Sequence, residues 1–554
     1  MGSSDSSHTF TRLPTLEEDN VALLQPEDGS HDGSESSCHD EILDGLLSKV
    51  GYGTFQKRLL IMCGFGWLAD NMWLQCVAII LPRVQEHFEV SDKWIGTVSS
   101  ALFTGMTFGA FFWGTYSDSR GRKIPFTLTL AITTTFGLLS SLAFSFWSLC
   151  LMLFFLGFGV GGNMPTDGAL YLEFLPKEYH YLLTFMSVFF SFGAVLASIL
   201  GYTILPYTSC PEPTADNPNP SCDVATQNSG WRILLVCAAL TTLAMLLVRS
   251  LWLKLPETPK FLLSQDRHQE TIIVLQDIAR INGEHVRIGS ADLPRPTSAP
   301  ISDGELHLRN SEERREHWQD DEREREQEPM IASNDENIAN KMVHDVYKSV
   351  NASAWSMLFS PQWRVTTILV WAIWTFTSMA YTMFNVFLPK YLETLGFQGE
   401  VPPTRKDVYW DYMIYSLAGV PGSVLASYMI ETFLGRKGTM AASAFGSSLA
   451  LFLFSIIQSR VTMLLSSSAV SFLATLLYAV IYGYTPEVFD TLVRGTAVGT
   501  ASGLGRIAGI ISPIACGILF TIAAVFPLYV SMAGFGIVGT CVLLLPYETR
   551  TRQR

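Results

Sequence analysis

The chain has 554 residues, of which 48% are hydrophobic and 16% are charged, and its net charge at pH 7 is −13. A soluble protein usually carries about 25% charged residues. Repeated apolar runs of about 20 residues exclude an ordinary soluble domain and favour a helical protein that crosses the lipid bilayer many times. The negative balance comes mostly from the N-terminal tail and the central loop, and it gives no indication of nucleic-acid binding.

A polar N-terminal tail, residues 1–50, is rich in Ser, Asp and Glu and is expected to be disordered. Within it, Asp19–Leu24 fits the acidic dileucine pattern that sorting adaptors bind, although so short a pattern also occurs by chance. Six apolar spans follow the tail. They are predicted at Leu59–Leu81, Trp94–Tyr116, Ile124–Phe144, Leu149–Leu170, Leu182–Leu205 and Trp231–Leu253.

A polar segment without any spanning run, residues 256–362, separates these spans from six more. Dense alternation of acids and bases over 303–328 favours a solvated, partly helical linker over a binding surface, and 267–281 fits a short amphipathic helix. The later spans are predicted at Val365–Leu388, Tyr409–Ile430, Gly438–Ile457, Met463–Tyr484, Ala497–Phe520 and Ala524–Leu545. The predicted division of the chain is a tail (1–50), a six-helix bundle (51–255), a cytosolic linker (256–362), a second bundle (363–546) and a tail (547–554).

The loop Gly114–Lys123, which reads G-T-Y-S-D-S-R-G-R-K, lies between two apolar runs and carries three cations. By the positive-inside rule this loop is cytosolic, as are both termini and the central linker. Gly121–Lys123 recurs as Gly435–Lys437, and Glu173–His180 recurs at the same offset as Glu487–Arg494. This internal repeat indicates two pseudo-symmetric six-helix halves related by an axis along the membrane normal.

The repeated charges are predicted to form a cytosolic gate. Arg122 can pair with Glu173 in the first half, as can Arg436 with Glu487 in the second. Asp118 is expected to meet a base or a helix end of the opposite half. The alternative is that these charges only orient the chain in the membrane. The predicted gate residues are Asp118, Arg122, Glu173, Arg436, Glu487 and Arg494.

Ionisable residues inside apolar spans are costly, so they are candidates for function. Asp70 lies mid-way along the first span and is predicted to face a central cavity, where burial would make it a proton-titratable site. Asp167 and Arg506 are further candidates, and for all three the alternative is a structural hydrogen bond or ion pair. Polar and aromatic neighbours that could shape the pocket are Asn71, Trp73, Gln75, Trp374, Tyr381, Asn385, Tyr478 and Tyr482.

Cys210 and Cys222 lie in a polar, proline-rich loop that the span count places outside the cytosol, where oxidising surroundings allow a disulfide, so the pair is a disulfide candidate. Six further cysteines lie in apolar runs and are interpreted as small core residues. The sequence contains no C-x-x-C spacing, nucleophile–base pair or phosphate-binding loop that points to a metal, a cofactor or an enzyme.

The pattern G-x-x-x-D-x-x-G-R-K resembles the signature loop of the major facilitator superfamily. The runs A-D-N-M, G-F-G-V-G-G-N-x-P, Y-L-E-F-L-P and G-R-I-A-G-I-I-S-P are similar to the synaptic-vesicle-protein-like branch near the sugar porters, which contains nicotinate and other organic-anion transporters. Trp73 replaces a second acid of that branch, Leu153 replaces an arginine before the glycines, and His180 replaces an arginine of the cytosolic motif.

The resemblance implies a monomeric secondary transporter that works by alternating access. We expect it to carry a small organic solute, an organic anion in the first place, coupled to protons through Asp70. One alternative is an uncoupled sugar or polyol facilitator, and another is a non-transporting membrane protein of vesicle trafficking. The sequence does not decide between the plasma membrane and an endomembrane of the ER, endosome or vacuole.

Overall fold

The computed structural model describes residues 42–211, 221–252, 255–284, 286, 288–289, 292–293, 356–394, 403–430, 432–456, 459–489 and 491–547. These residues form helices and connecting turns, and they contain no β-strand. The acidic dileucine pattern and most of the central linker lie outside the described residues.

Twelve long helices carry the architecture, six in each half of the chain. Those of the first half are α1 (Thr54–Phe88), α2 (Thr97–Arg120), α3 (Lys123–Ser140), α4 (Phe146–Glu173), α5 (Ser187–Ile204) and α6 (Gly230–Trp252). Those of the second half are α7 (Arg364–Thr394), α8 (Arg405–Met429), α9 (Gly435–Ile456), α10 (Arg460–Val488), α11 (Thr491–Ile522) and α12 (Phe526–Leu544).

Length and composition allow ten helices of the described chain to cross a membrane, and α3 and α8 are the two long helices that fall below that threshold. The predicted fold, an all-helical polytopic membrane protein of twelve spans, is confirmed. The predicted helix ends are wrong by several residues. The first span was placed at Leu59–Leu81, whereas α1 runs from Thr54 to Phe88. A hydropathy pattern stops where charge begins, but backbone hydrogen bonds continue through the polar ends of a helix.

Equivalent helices pack together in the two halves. In the first half α2 packs on α4 and α1 on α5, and in the second half α8 packs on α10 and α7 on α11. The α2–α4 contact is close because it is made by glycines. A Cβ on Gly105 would lie 1.9 Å from the Phe154 carbonyl oxygen, and one on Gly161 would lie 2.0 Å from that of Met106. Small residues at such crossings let two backbones touch inside a membrane.

The two halves meet along three helix pairs, which are α1 with α7, α2 with α11, and α5 with α8. We call the end of the bundle that carries Arg122 and Arg436 the inner end, and the opposite end the outer end. The polar contacts that join the halves concentrate toward the outer end. There Arg83 of α1 binds Glu393 of α7 at 2.6 Å, and Lys390 of α7 binds Asp92, which precedes α2.

The loop between α5 and α6 completes the contact at the outer end. A disulfide joins Cys210 to Cys222, with their Cα atoms 5.6 Å apart, so the structure pairs the two cysteines that the loop composition singled out. Arg405 of α8 donates a hydrogen bond to the Cys210 carbonyl oxygen and lies 3.7 Å from Glu86 of α1. The loop of the first half therefore touches the first turn of α8 in the second half.

At the inner end, short helices cover the first bundle. Residues 42–50 are helical, so the expectation of disorder through residue 50 is wrong for this last part of the tail. The amphipathic helix expected at 267–281 is confirmed as His268–Asn282. Asn282 fastens it to the start of α1, because its Oδ1 accepts from the Phe55 N–H at 3.0 Å and its Nδ2 donates to Gln56 at 2.9 Å. The linker thus begins as a packed part of the first half.

Glu393→Gln should weaken the outer closure. The ion pair with Arg83 is partly exposed, so its loss should cost about 1 kcal/mol and raise opening about fivefold. Ser416 of α8 is buried against Ser198 of α5, with 2.6 Å between the hydroxyl oxygens, and a cysteine placed there reports this opening. We expect Glu393→Gln to speed the labelling of Ser416→Cys by a membrane-impermeant maleimide applied from outside.

Asp407→Asn is the matched control, because Asp407 pairs with Arg460 of the same half at 2.9 Å. This change should leave the labelling rate as it is. Equal acceleration by Asp407→Asn, or no acceleration by Glu393→Gln, would contradict the assignment of the Arg83–Glu393 pair to the outer closure.

Candidate functional site

A central cavity of about 350 Å³ lies between the two halves. Its wall comes from α1, α2, α4 and α5 on one side and from α7, α8, α10 and α11 on the other. Because every half contributes four helices, a relative movement of the halves changes the shape of the whole wall. A cavity of this size accepts a small organic molecule.

Eight of the eleven residues predicted for the substrate site line this cavity. They are Asn71, Gln75, Trp374, Tyr381, Asn385, Tyr478, Tyr482 and Arg506. The aromatic members form two edge-to-face pairs, with ring centroids 5.5 Å apart in Tyr381–Tyr478 and 4.8 Å apart in Trp374–Tyr482. Serine and threonine side chains from α5, α7, α8, α10 and α11 also line the cavity.

Arg506 is the one charged side chain among the described residues that line the cavity. It extends from α11 to the first half, where its Nη1 donates to the Met106 carbonyl oxygen of α2 at 3.3 Å. It also lies close enough to Asp70 and Tyr482 to interact with them electrostatically. A cavity with a guanidinium and no described carboxylate in its wall attracts a negatively charged group.

The prediction that Asp70 faces the cavity is wrong for this structure. On α1 the cavity face is formed by Trp67, Asn71 and Gln75, which recur at helical spacing. Asp70 lies on the adjacent face, is fully buried, and accepts a hydrogen bond from Asn163 of α4 at 2.7 Å. It is therefore placed behind the wall, between α1 and α4.

Trp73 is also turned away from the cavity, because it shares the face of α1 that points into the first bundle. Its indole N–H donates to the Thr242 hydroxyl of α6 at 3.0 Å, and its ring lies against Gly137 of α3. The expectation that Trp73 shapes the pocket is wrong, and its role is packing among α1, α3 and α6.

Asp167 does not line the cavity either. It is fully buried and pairs at 2.8 Å with Arg249 of α6, which the sequence analysis missed. Arg249 also donates to the carbonyl oxygens of Met62 and Phe126, so it joins α1, α3, α4 and α6. In the sequence Arg249 looks like a base that only marks the cytosolic end of its span. The available signal was that apolar residues continue after Arg249, which indicates that it lies within the span rather than beyond its end.

The buried pairs Asp70–Asn163 and Asp167–Arg249 lie close enough to interact electrostatically, and we call these four residues the charge cluster. Asn163 and Asp167 lie one helical turn apart on α4, so both face α1. One oxygen of each carboxylate, Asp70 Oδ2 and Asp167 Oδ1, accepts no hydrogen bond from the described part of the chain. Two acids and one base leave the cluster with one net negative charge when all are ionised, and Arg506 is a nearby base whose positive charge can balance it.

Amide and phenol groups close the outer end of the cavity. Gln75 Oε1 accepts from the Tyr412 hydroxyl and from Asn385 Nδ2, the latter at 3.3 Å. Tyr415 donates to Asn385 Oδ1 at 2.9 Å, and Gln75 Nε2 donates to Asn71 at 3.3 Å. We call these five residues the amide ceiling. Tyr412 and Tyr415 were not predicted, because tyrosines of an amphipathic helix such as α8 are more often packing residues.

The predicted pairs at the inner end form within each half. Arg122 binds Glu173 at 3.0 Å and Asp118 at 2.6 Å. Burial alone would lower the pKa of Arg122, but the charges of Glu173 and Asp118 outweigh it and raise the pKa. Asp118 was expected to meet the opposite half and instead binds its own, since it lies one turn before Arg122. Glu257, which sequence reasoning missed, accepts the Arg122 N–H at 2.8 Å.

The second half repeats this arrangement in part. Arg436 binds Glu487 at 2.6 Å, as the repeat predicts by analogy with Arg122 and Glu173. Arg494 lies in the first turn of α11 and is exposed. The structure thus brings together two of the three charged residues that the sequence analysis chose in this half.

Twelve helices in two matching bundles around one cavity define a multi-pass membrane transporter. The family model described as "Major Facilitator Superfamily" matches residues 60–405, and the one described as "Sugar (and other) transporter" matches residues 308–552. The chain therefore belongs to the major facilitator superfamily and is a carrier of small solutes, not an enzyme.

Proteins of similar sequence agree with this assignment. An uncharacterized MFS-type transporter of Schizosaccharomyces pombe is 32% identical over 96% of this chain and 93% of its own. The synaptic vesicle 2-related protein of Pongo abelii is 26% identical over 92% of this chain and 82% of its own, in keeping with the branch that the motifs resemble. A crystal structure of a D-xylose–proton symporter superposes with a TM-score of 0.61 and 14% identity, covering 90% of this chain and 99% of that one. That likeness shows the fold alone.

Arg249→Met should destabilise the protein by about 3–5 kcal/mol, because it leaves Asp167 as an unpaired buried charge. We expect a large fall in the midpoint of thermal unfolding of the purified protein in detergent. The double variant Asp167→Asn, Arg249→Met removes both charges together and should recover most of the loss.

Arg122→Met is the control for losing a guanidinium near the membrane surface. Its pairs are partly exposed, so it should cost about 1 kcal/mol or less. A single variant Arg249→Met that is as stable as the double variant would contradict the buried ion pair.

Proposed function

We propose that this protein is a proton-coupled transporter of a small organic anion. The observation that carries the proposal is the charge of the cavity wall, in which Arg506 is the one charged side chain among the described residues. A guanidinium binds a carboxylate through two parallel hydrogen bonds, so an anionic group of the substrate has one preferred place.

The rest of the wall favours a flat, partly aromatic solute. Trp374, Tyr381, Tyr478 and Tyr482 present ring faces and edges on the second half, and Phe103 and Phe190 do so on the first. Ring–ring contacts of this kind add to the burial of apolar surface. Hydroxyl groups of the wall can satisfy polar substituents, so an aromatic carboxylate fits the wall better than an aliphatic chain does.

Charge balance gives a reason for proton coupling. Without substrate, the acids Asp70 and Asp167 face the bases Arg249 and Arg506, and the four charges cancel. An anion bound to Arg506 withdraws that base from Asp70 and leaves one net negative charge in a poorly hydrated site. Because a buried unpaired charge is costly, uptake of one proton by Asp70 is the simplest way to restore the balance.

Two alternatives fit the wall less well. An uncoupled sugar or polyol facilitator would carry a neutral substrate, which offers no charged partner to the guanidinium in the described wall. A trafficking protein that does not transport needs neither a cavity nor separable contacts between its halves. The superposed xylose symporter supports neither alternative, because its likeness to this chain is limited to the fold.

The position of the contacts supports alternating access. In this structure the halves are joined at the outer end by Arg83–Glu393 and Lys390–Asp92, and the amide ceiling closes the cavity on that side. Opening to the outside must break these contacts. We infer that the inner-end pairs of Arg122 and Arg436 then shape the inner closure, so they act on turnover rather than on substrate affinity.

Arg506→Met should abolish uptake of radiolabelled benzoate into proteoliposomes, because the anion loses its counter-charge; Arg506→Lys should retain a part of it. The control is Arg494→Met, which removes an exposed arginine from the same helix and should leave uptake unchanged. If Arg506→Met transports benzoate as the wild type does, the proposed anion site is wrong.

Arg122→Ala should leave the affinity for benzoate nearly intact and lower its turnover severalfold, since the ion pairs of Arg122 lie at the inner end and away from the cavity. Calorimetry gives the affinity and initial uptake rates give the turnover. The neighbouring exposed Lys123 supplies the control Lys123→Ala, which should change neither. Equal losses of affinity and turnover in Arg122→Ala would count against a gate.

A further inference from the structure

The cavity has two polar ends of different character. One end holds the guanidinium of Arg506, and the other is the amide ceiling, built from Asn71, Gln75, Asn385, Tyr412 and Tyr415. All five side chains of the ceiling are neutral. A single substrate that reaches both ends must therefore carry two different polar groups.

The ceiling holds more hydrogen-bond donors than its described contacts use. Each primary amide has two N–H donors. Asn71 donates one to the Phe190 carbonyl oxygen at 2.7 Å, Gln75 donates one to Asn71, and Asn385 donates one to Gln75. Gln75 also makes a side-chain hydrogen bond with Tyr381, so Asn71 and Asn385 are the two amides that keep one N–H each beyond these bonds. Two of the bonds are long, at 3.3 Å, so they can be exchanged for better partners.

The separation of the two ends can be estimated along α7. Ser378 donates to the carbonyl oxygen of Gly505, the neighbour of Arg506, at 2.7 Å, which places Ser378 at the level of the Arg506 backbone. Asn385 follows Ser378 by two helical turns, which corresponds to a rise of about 10 Å. Tyr381 and its edge-to-face partner Tyr478 lie between the two levels.

We infer that the amide ceiling is a second binding site, for a neutral oxygen such as a hydroxyl or a carbonyl group, and that the preferred substrate is an aromatic carboxylate with this oxygen at the end opposite its carboxylate. The inference rests on the proposed function, because it assumes that the carboxylate binds Arg506. Spare N–H donors bind an oxygen acceptor, and the absence of a described charge in the ceiling makes it unsuited to a second anion.

The site also couples binding to the movement of the halves. Asn71 and Gln75 belong to the first half, whereas Asn385, Tyr412 and Tyr415 belong to the second. When the halves separate at the outer end, the bonds between Gln75 and its partners of the second half must break, and their donors become free for substrate. A substrate oxygen that accepts hydrogen bonds from these donors replaces the broken bonds. The ceiling therefore favours solutes that carry such an oxygen when they enter from the outside.

The test compares 4-hydroxycinnamate with cinnamate, which lacks the hydroxyl, and with 4-hydroxybenzoate, which is shorter by two carbon atoms. Their affinities for the purified full-length protein are measured by calorimetry. We expect 4-hydroxycinnamate to bind about tenfold more tightly than cinnamate, as one added hydrogen bond predicts. The hydroxyl of 4-hydroxybenzoate should bring little gain over benzoate, because it does not reach the ceiling.

Gln75→Leu should reduce the ratio of the two cinnamate affinities to about one, because it should weaken 4-hydroxycinnamate more than cinnamate. Asn385→Leu should do the same from the other half. Cinnamate is thus the internal control for folding, since a collapsed cavity would weaken both ligands together. Arg506→Met should weaken both ligands alike and keep their ratio.

The outcomes separate this inference from the proposed function. Equal affinities for cinnamate and 4-hydroxycinnamate in the wild type, both lost in Arg506→Met, would overturn the second site and leave the anion site standing. A preference for 4-hydroxycinnamate that survives both Gln75→Leu and Asn385→Leu would also overturn it. If none of the carboxylates binds, or if Arg506→Met binds them as the wild type does, both proposals fail.

Discussion

A charge inside a membrane bundle must be balanced, and this constraint organises the centre of the molecule. Arg506 projects from the second half into a cavity whose described wall holds no acid. Asp70, the carboxylate that interacts with it electrostatically, belongs to the first half and lies behind the wall. The charges that balance each other therefore lie in different halves. A movement of the halves, or an anion bound to Arg506, changes the interaction between Arg506 and Asp70.

The two halves have the same helix packing but different chemistry. The first half buries two acids and Arg249 within its own bundle, where the Asp167–Arg249 pair is closed off from the cavity and holds four helices together. The second half supplies Arg506 and most of the tyrosines and hydroxyls of the wall. In the proposed mechanism, one half holds the carboxylate that takes up the proton, and the other half supplies the base that binds the solute. Contacts at the outer end and in the amide ceiling hold the two in register.

The sequence was sufficient for the twelve helices and for most of the cavity wall, because both follow from apolar run length and from the internal repeat. It was insufficient to predict which face of α1 lines the cavity. Both Asp70 and Gln75 lie on polar faces of this helix, and only packing decides which of them meets the cavity. Arg249 escaped notice because an arginine near a cytosolic helix end normally serves orientation. Glu257 escaped notice because its partner, the loop before α3, is distant in the sequence.

The most direct test of the account measures what drives the solute. Proteoliposomes that contain the protein are given radiolabelled benzoate, with protein-free vesicles as the blank, under either an acid-outside pH gradient at zero membrane potential or an inside-negative potential at equal pH. The account predicts that the pH gradient drives accumulation, that the potential alone does not, and that Asp70→Asn loses the response to pH. Accumulation driven by the potential, or a response to pH that is unchanged in Asp70→Asn, would contradict the exchange of charge between Asp70, Arg506 and the anion.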